Sequence, residues 1–409
     1  MVIIKCDVLV VGAGPTGSVA ALYCSEYGLN TVLIEKNDNI GAHTATRVDS
    51  SPDFGLTEII NELGLKTENL VYNSKWHSPS GRSFTLHSKT GEYYFKRGPD
   101  PDSFECSTVN KAIKNGCKLF GGIIVEEIIK DGGRFSEVII SQGAEKIEIK
   151  PEIIIAADGE KSIFHKYVNK RLVHNRVAYG VTGEDFIQPD TSEIYFDVEL
   201  APGGYFYIVT SLSGLSSAGI VLDPNKIKRS PERYFYNFLS EKTTIGDKIE
   251  STTNKFEGER RLFMLNRHVQ DNLLLVGDAA GLIDPLIGYG MMPAIVSAYY
   301  AGKYSVDAVK KGGYEALKEY DREILTRFNR KMSYVFNCIF ESLDDKDLDM
   351  IINMASDLED RTDVDNLLVR LSISGLLYSS IVFLENLPGS GRLLAKSLKS
   401  LCRRFTFHK

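Results

Sequence analysis

Hydrophobic and polar positions alternate along this chain in blocks that predict a recurring strand-and-helix order. Asp7 to Val11 is a β-branched run, Gly12 to Gly17 a glycine turn, and Ser18 to Tyr27 an alanine-rich stretch of helical character. Gly28 is placed to end that helix and Thr31 to Ile34 forms the next strand, so the opening is strand, turn, helix, strand. From Trp76 to Phe95, aromatic and polar residues surround the turn signals Ser80-Gly81 and Thr90-Gly91, which predicts antiparallel hairpins. Ile153 to Ala157 is a short apolar run ending in Asp158-Gly159. Between Leu172 and Arg261, segments such as Glu193 to Leu200, Tyr205 to Val209 and Ser217 to Leu222 have strand character. Leu273 to Val276 is again a buried-strand pattern, followed by glycine-rich turns and a helix from about Met292. Everything after Lys310 has helical character.

The fold class expected from this order is α/β plus β. A discontinuous cofactor-binding domain (1–75, 100–170 and 262–310) would be interrupted by a β-rich, antiparallel substrate domain (76–99 and 171–261). A helical C-terminal region (311–409) would follow. A chain of 409 residues is long enough for two or three such units.

Composition narrows the function classes. A net charge of −6 argues against nucleic acid as a partner, since such proteins carry a basic excess. The apolar start lacks a cationic leader and runs straight into the glycine turn, so it is expected to be a buried strand rather than a secretory signal. No run reaches the roughly 18–20 apolar residues that span a bilayer. Cys6, Cys24, Cys106, Cys117, Cys338 and Cys402 are scattered without a C-x-x-C pair. Packed thiols in a reducing cytosol are therefore expected, rather than metal or Fe–S ligands. The seven histidines show no metal-ligand spacing. Neither a Gly-x-Ser-x-Gly nor a Walker A pattern is present.

Gly12-Ala13-Gly14-Pro15-Thr16-Gly17 fits G-x-G-x-x-G. The first glycine permits a tight turn, the second lets backbone approach a pyrophosphate, and the third lets helix and strand pack closely. The helix N-terminus offers unpaired N–H groups to the phosphate. Glu35, at the end of the second strand, is positioned to accept from adenosine ribose hydroxyls. Strand, glycine turn, helix and acid together predict a Rossmann-type dinucleotide site.

Gly277-Asp278-Ala279-Ala280-Gly281, with Pro285, Gly288 and Gly290, resembles the G-D-A-A-G-x-x-x-P-x-x-G-x-G motif of p-hydroxybenzoate hydroxylase-like flavoproteins. Ala156-Ala157-Asp158-Gly159, with Ser162, is similar to their A-D-G-x-x-S stretch. The resemblance implies FAD. It places Asp278 at the ribityl chain or pyrophosphate, and Gly288 and Gly290 near the flavin ring. It also puts Lys36, Thr46, Arg47, Val125, Asp158 and Met291 around the cofactor. Within this group, Pro202-Gly203-Gly204-Tyr205-x-Tyr207 resembles the P-x-G-Y-x-W-x-F-P segment of the geranylgeranyl reductase family, which includes archaeal digeranylgeranylglycerophospholipid reductases. That resemblance implies reduction of C=C bonds in an isoprenoid lipid, with Tyr205 and Tyr207 against the flavin. Tyr207 stands where the family has Trp, Val209-Thr210 where it has Phe-Pro, and Thr46 where it often has Cys. Pro101 falls where an arginine is expected, with Arg97 nearby.

Two rivals stay open. An FAD-dependent monooxygenase fits the same motifs and is marked by substrate-triggered NADPH oxidation with oxygen uptake. A flavin-binding electron-transfer protein without substrate turnover is the other, favoured by a polar, solvent-filled cleft beside the flavin. A halogenase lacks its Trp-x-Trp-x-Ile-Pro stretch here, Trp76 being the single tryptophan. The electron donor is either transient NADPH or a ferredoxin-like carrier protein. From Arg392 to Lys409 six basic residues occur with no acid. Arg392, Lys396, Lys399 and Arg403 share one helical face, opposite Leu394, Leu398, Leu401 and Phe405. Such a helix over 392–405 suits either peripheral contact with an anionic membrane, from the cytoplasmic side, or packing on the protein. Leu371 to Leu384 is apolar but short, and burial is expected.

Overall fold

The computed structural model describes residues 2–250, 254–285, 288–328, 337 and 340–359. The basic stretch 392–405 and the apolar stretch 371–384 lie outside the described residues. Two eight-stranded sheets organise the chain. In the first, Val2–Val11 is central and runs parallel to Thr31–Ile34 on one side and Glu145–Ala156 on the other. Lys118–Phe120 and Leu273–Leu275 extend it in parallel at either flank. Ile123–Asp131 and Arg134–Gln142 add an antiparallel hairpin. Helices cover such a sheet, which is why its strands are nearly continuous apolar runs. Val8, Leu9, Val10, Leu33, Ile154 and Leu274 have no solvent exposure.

The glycine turn feeds helix Pro15–Glu26, with Pro15 in its first turn. This helix packs between Phe104–Lys114 and the long helix Met291–Lys311. The closeness is visible at Gly302, where a Cβ would lie 2.8 Å from the Tyr23 Cβ. Cys6, Cys24, Cys106 and Cys117 are buried free thiols, and burial pushes Cys6 and Cys117 up to about 12. Cys338 and Cys402 lie outside the described residues.

The second sheet runs in the order Asn254–Leu265, Lys170–Glu184, Leu215–Leu222, Tyr205–Thr210, Thr191–Tyr195, Asn69–His77, Ser83–Arg97, Arg47–Pro52. Its pairs are antiparallel except Thr191–Tyr195 with Asn69–His77. The hydrogen bonds of Arg47–Pro52 and Asn69–His77 therefore go to the second sheet, although the sequence-based boundaries placed residues 47–75 with the cofactor-binding part. Only Val48 in the run Arg-Val-Asp-Ser-Ser-Pro is aliphatic, so no local pattern announces that pairing. Helices Pro231–Lys242 and Gly246–Glu250 also interrupt what the pattern gave as sheet alone. Ser230 caps the first by accepting from the Arg233 N–H, with Pro231 and Glu232 in its first turn. That is a helix-start signature overlooked among the alternating segments. Phe235 and Phe238 bury against Phe206 of the sheet. Past Lys310, Glu315–Arg327 and Asp345–Glu359 are helical. Among the described residues, no helix is long and apolar enough to cross a membrane.

Candidate functional site

The two sheets share a cavity of about 1080 Å3, at the upper end of what single ligand pockets usually offer (roughly 300–1,000 Å3). The first glycine turn forms one wall. Gly12 has φ +100°, and a Cβ there would lie 2.5 Å from the Ala157 carbonyl oxygen. A Cβ on Gly17 would lie 1.7 Å from the Gly12 oxygen. Both glycines are demanded by the chain's own packing. Gly14 is different. Its φ of −70° suits any residue, and nothing lies within 4 Å of the position its Cβ would take. Gly14 lines the cavity, so only what occupies the cavity can need a glycine there.

Neighbouring groups are shaped for the same occupant. Glu35 accepts from the Ala13 N–H at 2.8 Å through Oε2, and from the Asn37 N–H and Nδ2 through Oε1. The carboxylate is thus fixed across the glycine turn. Asp158 accepts from the Ile163 N–H at 2.8 Å, whereas its buried Oδ1 has no hydrogen-bond partner. Burial raises its pKa. A buried acceptor left without a donor is costly, and a ligand hydroxyl or N–H would relieve it. His165, three residues beyond Ser162, bonds through Nε2 to the Ala279 carbonyl at 2.8 Å. The second and third motifs are thereby tied together. Asp278 is raised by burial and faces Gly290, whose Cβ would lie 3.8 Å from its Oδ1. Pro15, Thr16, Lys36, Arg47, Val125, Gly288 and Met291 line the same space. An extended dinucleotide with a pyrophosphate at Gly14 and a ring toward Gly288–Gly290 fits these residues, and FAD is such a group.

Two residues expected at the cofactor do not reach the cavity. Gly17 acts through helix-strand packing, as above. Thr46 packs on Gly98, where a Cβ would lie 2.8 Å from the Thr46 Cα. The segment before Arg47 must pass tightly over that glycine (φ +117°), which turns Thr46 away.

The opposite wall comes from the second sheet. Tyr205 and Tyr207 lie two apart on one strand and so share a face, with ring centroids 6.2 Å apart. Burial keeps both phenols neutral by raising their pKa values. Tyr207 rests on Gly219, where a Cβ would come within 2.7 Å of its ring. Ile194, Val209, Val221 and Ile283 supply apolar surface, whereas Glu92, Arg176 and Ser192 are polar members of the same lining.

A buried ionic network fixes the edge of this wall. Arg47 grips Asp49 with two bonds, 2.7 and 3.0 Å, and its guanidinium lies over the Phe256 ring. Arg97 bonds Asp49 at 2.8 Å and Glu105 at 2.5 Å. Burial alone would raise the Asp49 pKa, but Arg47 and Arg97 hold it at about 2. Because the folded value lies below the ordinary 3.8, this contribution is complete above about pH 4. It disappears as pH falls through about 2. Denaturant midpoints measured from pH 5 to pH 2 are expected to fall, and Asp49→Asn to flatten that fall.

Asp49, Glu92, Arg97 and Tyr289 are cavity residues that the sequence motifs did not assign. Glu92 carried one signal: it shares strand parity with the fully buried Tyr94, so an acid was placed on an inward row. The histidine spacing gave no metal set, yet the fold gathers His174, Asp223 and Glu341 with ligand atoms within 4.8 Å of one another. Arg176 already sits 3.0 Å from the Glu341 carboxylate. The cluster therefore serves as an ion network anchoring the segment around Glu341 to the second sheet.

Comparison with known proteins follows the same lines. A family model described as FAD binding domain matches residues 5–333. The chain is 29% identical over 372 residues to a digeranylgeranylglycerophospholipid reductase of Thermoplasma volcanium, covering 86% of this chain and 91% of that one. It is also 29% identical over 384 residues to the protein of the same name from Methanocaldococcus jannaschii, covering 89% and 94%. A solved structure of a geranylgeranyl bacteriochlorophyll reductase-like protein from Thermoplasma acidophilum superposes with a TM-score of 0.77 at 25% identity. It covers 92% of this chain and 96% of that one.

Proposed function

Given that the chain belongs to the FAD binding domain family, we propose that it is an FAD-dependent reductase of C=C bonds in geranylgeranyl-type isoprenoid lipids. The observation that carries this reading is one cavity shared by the three cofactor turns and an aromatic, partly aliphatic sheet wall. The names of the relatives point to the same substrate class. Bound FAD, once reduced, supplies the hydride equivalent. The chain's own task is to hold an alkene against that end of the cavity and to keep water out. Ile194, Val209 and Val221 offer the surface for an isoprenoid unit. An isolated alkene accepts hydride poorly, so positive charge must be stabilised or a proton delivered as it reacts. The faces of Tyr205 and Tyr207 are suited to stabilise such charge through their quadrupoles.

Anaerobic incubation of reduced protein with geranylgeranyl glycerolipids, followed by mass spectrometry, is expected to show a gain of two hydrogens per bond reduced. No gain across several such lipids would remove the reading. Electrons arrive from NADPH binding transiently or from a ferredoxin-like carrier, and stopped-flow bleaching of the flavin by NADPH separates the two. Peripheral membrane contact through 392–405 would bring the enzyme to its lipid, and is tested by sedimentation with anionic vesicles.

A further inference from the structure

The isoprenoid reading leaves the proton without a source. Most acids lining the cavity are engaged elsewhere. Asp49 is held ionised by Arg47 and Arg97. Glu35 is fixed across the glycine turn, and Asp158 and Asp278 belong to the cofactor motifs. Glu193 lies 3.3 Å from His77.

Glu92 belongs to none of these groups: it is neither held by a cation among the described residues nor part of a cofactor motif. It forms no ion pair among the described residues, and its hydrogen-bond partners are neutral hydroxyls: Tyr289 at 2.8 Å on Oε1 and Ser192 at 3.4 Å on Oε2, with Ser50 from the neighbouring strand. The Tyr289 bond joins residues 197 apart in sequence. It ties the second sheet to the turn between Gly288 and Gly290, which the flavin motif places at the ring. Tyr205 converges on the same turn, its hydroxyl lying 3.7 Å from the position of a Cβ on Gly288. An aromatic wall, a carboxyl and the cofactor turn therefore meet at one end of the cavity.

We propose that Glu92, positioned by Tyr289, is the acid that protonates the alkene. This rests on the reductase reading of the same site. The balance closes with reduced FAD as reductant. One alkene carbon receives the hydride with two electrons, and its neighbour receives the proton from the Glu92 carboxyl. The π bond is replaced by two C–H bonds, and the carboxylate regains its proton from water. For the donor to work near neutral pH its carboxyl must stay protonated in the resting site. Burial raises its pKa, partly offset by the hydroxyls of Ser50, Tyr289 and Ser192. The facing phenols of Tyr94 and Tyr205 are raised by burial too and carry no charge. Among the described residues, no cation contributes to holding the carboxylate form.

The test uses the full-length, FAD-loaded protein and two readouts. Infrared difference spectra at neutral pH are expected to show the C=O stretch of a neutral carboxylic acid, absent from Glu92→Gln and shifted in Tyr289→Phe. In anaerobic single turnover with a geranylgeranyl glycerolipid, Glu92→Gln is expected to slow alkene reduction by about 100-fold or more. Lipid affinity and flavin absorbance should be unchanged, and Glu92→Asp should restore part of the rate. Tyr289→Phe, lacking one hydrogen bond of about 1 kcal/mol, is expected to cost about fivefold. Absence of the neutral-acid band from the wild type, its survival in Glu92→Gln, or a Glu92→Gln rate equal to wild type overturns the proposal. A wild type that reduces no isoprenoid alkene overturns the reading beneath it as well. That failure is separable because it appears before any substitution.

Discussion

Gly14→Val is expected to yield a folded protein that purifies without flavin. Its affinity for FAD should fall by more than about 100-fold, equivalent to about 2.7 kcal/mol. The reasoning turns on the contrast among three glycines. Gly12 and Gly17 would drive a Cβ into backbone 2.5 and 1.7 Å away, so their replacement damages the strand-helix junction itself. Gly14 has ordinary dihedrals and open space. Valine there should cost the apo fold no more than about 1 kcal/mol as a poorer helix cap. It would, however, stand where a pyrophosphate must approach the helix N-terminus. The measurement is paired: flavin absorbance after soaking in excess FAD, and the denaturation midpoint of the apo protein. A yellow Gly14→Val protein with wild-type affinity would remove the placement of the pyrophosphate at Gly14.

Arg97→Met is expected to be the most destabilising single change in the second wall, by about 3–5 kcal/mol. Glu105 has no solvent exposure, its Oε1 is held by Arg97, and its Oε2 has no hydrogen-bond partner. Without the guanidinium, a buried carboxylate loses its counter-charge and must protonate or drag water inward. Asp49 keeps Arg47 and suffers less. Combining Arg97→Met with Glu105→Gln should recover most of the loss, because the penalty comes from the charge left behind rather than from the absent bond. Urea denaturation of the two single variants and the double variant measures that coupling. Strict additivity would show that the pair carries no such interaction. Since Arg97 also bonds the Met291 sulfur at 3.2 Å at the start of the long helix, the same variants should loosen FAD.

The cofactor half of the site was legible because its chemistry is local. A pyrophosphate turn needs glycines at fixed spacing, and a parallel strand buried on both faces needs an unbroken apolar run. Residues 8–17, 31–35 and 273–281 carry those demands in contiguous letters. Ser230-Pro231-Glu232 was equally local, and the helix it starts was missed only because strand patterns surround it.

The substrate wall was not legible in that way. Arg47–Pro52 gains its place by pairing with Ser83–Arg97, and Glu92 meets Tyr289 across 197 residues. A strand's alternation says which side chains share a face, but not which element that face will meet. The sequence by itself therefore determined that a dinucleotide is bound, since each motif satisfies its constraint within a short stretch of chain. Tertiary structure alone decided which acid pairs with no cation among the described residues and which arginine guards Glu105. It also decided that Thr46 turns away from the cavity. Those outcomes depend on long-range pairing and on the loss of water, neither of which any short stretch of chain encodes.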